Sequence, residues 1–572
     1  MVHQTPTPSP PDPDPLAIPP QPPGTQAAAA ALYLPLPGQR ATPQPEARRG
    51  GAARRRWLAL AVLCVSLLLV TLDNTILNVA LPTLVRDLQA TTTDLQWIVD
   101  AYILVFAGLL LVGGSLADRV GRKRTFLAGV CLFAAGSAWA AFSGSVDVLI
   151  TARASMGIGA ALIMPSTLAI ITDMFRDRGE RQRAIGLWAA TSGLGIALGP
   201  VIGGLLLDHF WWGSVFLLNV PVAVAGIVCA VPLVPDSRNE RAKRADLVGA
   251  TLSVAGLGLL VWAIIEAPVH GWWSSARVFV SGVAGVLVLT GFVLWERRSR
   301  HPMLELGFFG RRAFSGAVTS VGFVMFGLFG TLFVLTQYLQ FVLGYTPLQA
   351  GIRALPAAGA IAVVAPLSTV LVARAGTRVT ITSALCFISG GLWLLSRTTT
   401  ASTYRDVVVG MVLLGVGAGL AIPSATGSVM GSLPQQHTGV GAGTNGTFLQ
   451  VGGALGVAVI GSLLITRYQD QVANVAPPHL PQAVRETALG SIGGAQHVAA
   501  QLGGVAGQAL DQAARSAFID GMSVGLTAGT AVAAAAAVTA LVALPAKSRH
   551  SSRPSSNRNA AGDRSDTATD DL

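Results

Sequence analysis

Apolar runs of about 20 residues recur along this chain from Trp57 to Leu544, and arginines collect in every second gap between them. A helix of that length spans the hydrocarbon layer of a bilayer, roughly 30 Å at 1.5 Å per residue. Lipid offers no partner to backbone N–H and C=O groups, so each run has to satisfy its own. Helices do this, and the residue-by-residue alternation of a membrane barrel is missing. Composition agrees: charged residues make up 12% of the chain, about half the roughly 25% usual in soluble domains.

Counting the runs predicts fourteen spans, near 57–80, 95–116, 125–144, 147–171, 184–207, 214–234, 247–267, 276–296, 314–340, 348–373, 379–396, 406–430, 437–465 and 519–544. The loops set their direction. Arg119, Arg122, Lys123 and Arg124 share one side with Arg176, Arg178, Arg181 and Arg183, with Arg238, Arg241, Lys243 and Arg244, with Arg297, Arg298, Arg300, Arg311 and Arg312, and with Arg374 and Arg378. The opposite short loops hold only Arg86, Arg277, Arg397 and Arg405, and the loop before the thirteenth span offers only His437. The positive-inside rule then places both termini in the cytoplasm. The net charge of +11 is therefore a topology signal, and nucleic acid is not an expected partner.

Residues 1–56 and 546–572 are polar or Pro-rich and are expected to be disordered cytoplasmic tails. Arg54, Arg55 and Arg56 abut a first run too long for a signal peptide, which makes it an uncleaved helix. The stretch 466–518 is expected on the outer side. Its apolar spacing (Val484, Leu489, Ile492, Val498, Leu502, Val505, Leu510) fits either an amphipathic surface helix or a flexible loop. Cys64, Cys131, Cys229 and Cys386 lie inside apolar runs without metal or redox spacing and are read as small hydrophobes.

Charge inside the spans is sparse. Asp73 lies in the outer half of the first span, about four residues or ~6 Å beyond its middle. Asp100 in the second span and Arg153 in the fourth lie about five residues, ~7 Å, outward of theirs. A charge in a membrane span costs roughly 2.5–3.5 kcal/mol on insertion scales and ordinarily serves a function. The common depth predicts a polar cluster of Asp73, Asp100 and Arg153 able to take up and release a proton. Asp100 has a second reading, as an interfacial cap near Trp97. Glu266 sits at the outer end of the seventh span, where it is interfacial or near substrate.

Gly114-Ser115-Leu116-Ala117-Asp118-Arg119-Val120-Gly121-Arg122-Lys123-Arg124 fills the turn between the second and third spans. Its glycines permit a tight turn, and Asp118 at a helix end can pair with arginines of a neighbour, locking one face of a bundle. Gly195, Gly199 and Gly203 recur every fourth residue and line one helix face beside Pro200 and Gly204. That face is either ordinary small-residue packing or a pliable contact between two halves.

The turn resembles the signature loop of the major facilitator superfamily. Leu72–Pro82 is similar to the first-helix motif of its fourteen-helix drug:proton antiporters, Leu149–Gly159 to the fourth-helix motif, and Gly193–Gly204 to the fifth-helix antiporter motif. Text around Gln337–Pro366 and Gly439–Gly461 is similar too, so the resemblance runs from 57 to 465. Two departures stand out. Trp212-Gly213-Ser214-Val215-Phe216, ahead of Asn219-Val220-Pro221, lacks the family's outer arginine. The second copy of the signature loop, ending Ala373-Arg374-Ala375-Gly376-Thr377-Arg378, has Ala373 in place of the acid.

The resemblance implies an all-α fold of two six-helix bundles, 57–234 and 301–545, with two central helices in 235–300. It implies a proton-coupled exporter of drug-like or antibiotic molecules in the cell membrane. Arg153 would serve proton transfer with Asp73 and Asp100. Gly114, Asp118, Arg119, Gly121 and Arg122 would form the cytoplasmic gate, and Gly195, Gly199, Pro200, Gly203 and Gly204 the antiporter helix. Asn74, Asn78, Gln337, Tyr338, Gln340 and Asn445 are candidates for the substrate cavity, though each can instead satisfy a neighbouring helix. No Walker A, His-Glu-x-x-His or Gly-x-Ser-x-Gly sequence is present. No enzyme activity, metal or cofactor is expected, and an ion gradient supplies the energy. The expected partners are protons, lipid and an amphipathic small molecule, with the chain as a monomer. The alternatives are a same-fold transporter of a lipid precursor or metabolite, and a non-transporting membrane sensor or scaffold.

Overall fold

The computed structural model describes residues 46–238, 246–271, 275–299, 302–433, 438–475 and 481–545. Residues 1–45 and 546–572 of the expected tails, with the loop residues Arg241, Lys243, Arg244, Arg300 and His437, lie outside the described residues. Residues 46–56, expected as part of a disordered tail, are instead helical and continue into the first span. The chain divides into Met1–Arg54 and Arg55–Leu572.

Among the described residues, thirteen helices are long and apolar enough to cross a membrane. They are α1 (Ala53–Leu88), α2 (Thr92–Val120), α3 (Arg122–Ala141), α4 (Val146–Met174), α5 (Arg178–His209), α6 (Ser214–Leu233), α7 (Leu247–His270), α8 (Ala276–Arg298), α9 (Arg312–Val342), α10 (Pro347–Leu395), α11 (Tyr404–Gly431), α12 (Val440–Val475, itself part of the helix Thr438–Val475) and α15 (Gly504–Ala543). Between the last two lie the short α13 (Gln482–Gly490) and α14 (Ile492–Leu502). The 49 residues of α10 would measure ~74 Å if straight, more than twice the hydrocarbon thickness. At Gly376 the backbone takes φ 84° and ψ 161°, and the helix turns into a second limb. The two limbs bring the crossings to fourteen.

The first six crossings pack among themselves, as do the last six, α9 through α12 plus α15. Between the sets, α2 lies against α12, and the first limb of α10 against α5. The second crossing of each set thus meets the fifth of the other, a two-fold arrangement that follows from an internal repeat. α7 and α8 pair with each other, and α7 also lies on both α2 and α12, covering that seam.

Among its described residues the stretch 466–518 is helical rather than a flexible loop, and its short helices bury their apolar side in the bundle. α12 continues to Val475, α15 begins at Gly504, and α13 and α14 fold back onto the bundle. Ala488, Ile492, Ala495, Val498 and Leu510 are buried, and the Tyr468 hydroxyl donates toward the carbonyls of Ala488 (3.0 Å) and Ser491 (3.1 Å). Leu502 and Val505, the latter 84% exposed, are the two of the set that lie at the surface. Small residues explain the inward docking: Gly493 packs on Val85 and Phe341, and Gly490 on Thr91.

Candidate functional site

The buried charges meet where α1, α2, α4 and α6 converge. Asp73 and Arg153 keep only 2% and 1% of their side chains exposed, and Arg153 Nη1 stands 2.5 Å from Asp73 Oδ2. Arg153 Nε donates to the Ile98 carbonyl at 3.2 Å, and its guanidinium lies 4.3 Å from the Tyr102 ring centre. Asn219 Nδ2 donates to the other carboxylate oxygen, Asp73 Oδ1, and to Ser137 Oγ, both at 3.1 Å. Each oxygen of the carboxylate therefore has a donor, and the planar guanidinium is gripped on its face and its edges. A buried pair of this kind is held by geometry. Removing one partner strands the other charge, at about 3–5 kcal/mol.

Asp100 is not part of this contact. Arg153 touches α2 at Ile98 and Tyr102, and Asp100 lies two residues from each. At 100° per residue that is roughly 160–200° around the helix. The common depth is present, but the azimuth is opposite. Asp100 is fully buried, and neither carboxylate oxygen has a hydrogen-bond partner among the described residues. It is no interfacial cap either, because Thr91 caps α2 in a box with Asp94.

Asn219 and Ser137 escaped the reading of site residues. The signal for Asn219 was its position in an apolar span two residues before Pro221, where an amide needs a buried partner. Ser137 gives no such signal.

The signature turn is built as its residues suggest, with a different set of partners. Gly121 ends α2 at φ 122°, a conformation open to glycine. Asp118 pairs with Arg122 of its own turn at 3.0 Å, and Arg122 Nη1 reaches the Ala169 carbonyl at 3.3 Å and Asp173 at 3.8 Å. The Arg122 amide donates to the Ser237 carbonyl at 2.9 Å, and Lys123 Nζ to that of Val231 at 2.7 Å. Gly114 sits opposite Pro165, and Arg119 is exposed. The contacts described here tie the turn to α4 and the end of α6, within the first six crossings, rather than to the opposite set.

In α5 the glycines divide into two faces. A Cβ on Gly195 would stand 2.9 Å from Thr71 Cβ, one on Gly199 2.9 Å from Thr75 Cβ, and one on Gly203 3.1 Å from Ile76 Cγ2. That row closes on α1, inside its own set, rather than between the sets. The contact across the sets is made by the neighbouring face. A Cβ on Gly204 would meet Leu348 Cα at 2.6 Å, and the Pro200 carbonyl lies directly against Gly351.

The cavity candidates also separate. Gln340 Nε2 donates to the Val79 carbonyl at 3.0 Å, an anchor from α9 to α1, helped by the π-helical turn Tyr338–Val342. Tyr338 reaches toward the Thr399 carbonyl, a structural contact. Asn74 bonds the Val70 carbonyl in its own helix. Asn78, Gln337 and Asn445 give their amide nitrogens to Asn74 O, Phe333 O and Thr426 Oγ1 and, like Gln340, keep a buried oxygen without a partner among the described residues. Among the described residues no cluster suited to a metal occurs.

The Major Facilitator Superfamily family model matches residues 63–457. The multidrug efflux pump LfrA of Mycolicibacterium smegmatis is 36% identical over 470 residues, 82% of this chain and 92% of that protein. The tetracenomycin C resistance and export protein of Streptomyces glaucescens is 35% identical, covering 84% of this chain and 90% of that one. Among solved structures, a bacterial homolog of the human lysosomal transporter Spinster, inward-facing and unoccupied, aligns over 86% of this chain and 98% of that chain with TM-score 0.57. Its sequence is 16% identical, so that likeness speaks to the fold. Fourteen crossings in two interlocked sets, a charged pair buried in the first of them, and relatives of this closeness lead to one conclusion: the chain belongs to the Major Facilitator Superfamily.

Proposed function

We propose that this protein is a proton-coupled exporter of amphipathic drug-like or antibiotic molecules, working by alternating access in the cell membrane with both termini in the cytoplasm. The observation that carries the proposal is the Asp73–Arg153 pair, desolvated at 2% and 1% exposure and steadied by Asn219. A proton on Asp73 removes the counter-charge of Arg153 and loosens α1 from α4. Loss of the proton restores the pair. One proton moving inward down 100 mV supplies ~2.3 kcal/mol toward uphill export. The relatives named above are a multidrug efflux pump and a tetracenomycin C resistance and export protein, which supports export of such molecules here. Asn78, Gln337 and Asn445, with unpartnered oxygens, supply the few polar groups a mostly apolar cavity needs.

Asp73→Asn tests this reading, because the amide keeps the shape and loses the proton chemistry. In an efflux-deficient host the native chain raises resistance over part of a compound panel, and Asp73→Asn at equal membrane abundance does not. Inverted vesicles carrying the native chain accumulate a cationic dye until an uncoupler is added. Resistance unchanged by Asp73→Asn would refute the role of the carboxylate.

A further inference from the structure

The α2–α12 seam contains two buried acceptor groups that no donor reaches among the described residues. Gln96, fully buried in the first turns of α2, gives its Nε2 to the carbonyls of Val457 (3.1 Å) and Ala458 (2.9 Å) on α12, and lies 3.4 Å from Ser462 Oγ. With both carbonyls claiming the nitrogen, the amide orientation is fixed, and Oε1 is left without a partner. One turn along the same face stands Asp100, with both oxygens also unpartnered. Residues four apart on a helix are neighbours, ~5–6 Å between Cβ atoms. Further along that face the Ala107 carbonyl meets Thr447 of α12. Asp100 lies between these two contacts, within about 40° of each at 100° per residue.

Two buried acceptor groups one helical turn apart, without donors among the described residues, are both satisfied if the carboxyl carries a proton. No cation resolves them. α12 has no ionisable residue between Thr447 and Ser462. α7 carries only Glu266 and His270, which pair with each other. α3 has Arg122, Lys123 and Arg124 at its arginine-rich end. α1 has Asp73 within its span, Arg54, Arg55 and Arg56 at its start, and Asp87 and Arg86 at its end, Arg86 lying 5.3 Å from the Phe341 ring centre. α4 has Asp147 and Asp173 at its ends, and its Arg153 is engaged with Asp73 and Ile98.

We propose that Asp100 is a second proton site, separate from Asp73: protonated, it donates its O–H to Gln96 Oε1 and closes the α2–α12 seam, and its ionisation parts the seam. The proton is taken from external water while the seam is open and is held as the carboxyl O–H when it closes. This rests on the exporter reading and gives it direction, since a proton-loaded carrier that seals its outer side returns inward for substrate.

Spin labels on Thr93→Cys in α2 and Asn474→Cys in α12, with the four native cysteines replaced, report the seam by pulsed distance measurement in lipid nanodiscs. The native seam shows one short distance in mildly acidic buffer and a growing longer component in mildly alkaline buffer. Asp100→Asn, whose amide N–H can replace the O–H, shows the short distance in both. Gln96→Leu, which removes the acceptor and the carbonyl clamp, loses the short component several-fold even in acid. A native seam indifferent to pH overturns the proposal, as does an Asp100→Asn seam that still opens with pH. Proton-driven dye export in proteoliposomes is measured alongside. Seam titration without proton-coupled export refutes the exporter reading alone, and proton-coupled export with a seam that ignores Asp100 refutes this proposal alone.

Discussion

Arg153 makes three different uses of one guanidinium: an ion pair to Asp73, a hydrogen bond to the Ile98 carbonyl and a face against Tyr102. Lysine offers a point charge in place of a planar fork, so it can keep the first and loses the other two. Arg153→Lys should therefore reach the membrane at native abundance yet lose export roughly tenfold or more, read as dye efflux rate in energised cells. Wild-type efflux in that variant would show that charge alone suffices. Sequence reasoning located this pair because depth along a helix follows from counting residues. The same count wrongly enrolled Asp100, because depth carries no information about azimuth. Ile98 and Tyr102 face α4, whereas Asp100 shares the α12 face with Gln96, and only the packing partners of α2 separate the two. Asn219 was overlooked for a related reason: a neutral amide raises no alarm until its partner, Asp73, is known.

At the scale of elements, α5 serves two neighbours with two rows of small groups. Gly195, Gly199 and Gly203 receive α1, and Pro200 with Gly204 receives α10. The four-residue spacing announced a close approach without saying to which helix, since any neighbour satisfies the same pattern. A Cβ on Gly199 would overlap the Thr75 hydroxyl and stand 3.2 Å from the Ile76 amide nitrogen, while Gly193 in the same helix has open space around it. Gly199→Ala should destabilise the detergent-solubilised protein by about 1–3 kcal/mol, seen as a lower Tm together with reduced export. Gly193→Ala should leave both unchanged, and an equal effect of the two would remove the close-approach argument. The spans themselves were legible from hydropathy, including the two limbs of α10, because length alone forbids a single crossing there. The fold-back of 466–518 was not legible. Its alanines and glycines carry little hydropathy, and what buries them is shape, as where Gly493 packs on Val85 and Phe341.

Among the described residues of the whole molecule, two helix seams join the six-helix sets, α2 with α12 and α5 with α10, so that each set offers its second and fifth crossings to the other, and Gln340 adds a tie from α9 to α1. The additions to this symmetric frame are unevenly placed. α7 covers only the α2–α12 seam, and α13 and α14 span the sets at the arginine-poor end, touching Val85 and Thr91 of the first set and Phe341 of the second. A rocking motion that opens this end has to lift α13 and α14 from one of the two. The contact at Gly490 lets that be tested covalently: a Cβ there would lie 3.5 Å from Thr91 Cβ, at the short end of disulfide geometry. Thr91→Cys with Gly490→Cys, in a chain lacking the four native cysteines, should cross-link under mild oxidation. The loss of the Thr91 cap costs about 1 kcal/mol, too little to prevent folding. Export should stop in the oxidised protein and return on reduction, measured as dye efflux before and after dithiothreitol. Full export by a quantitatively cross-linked protein would mean that α13 and α14 ride with the first set throughout the cycle, and that this end opens without parting them from Thr91.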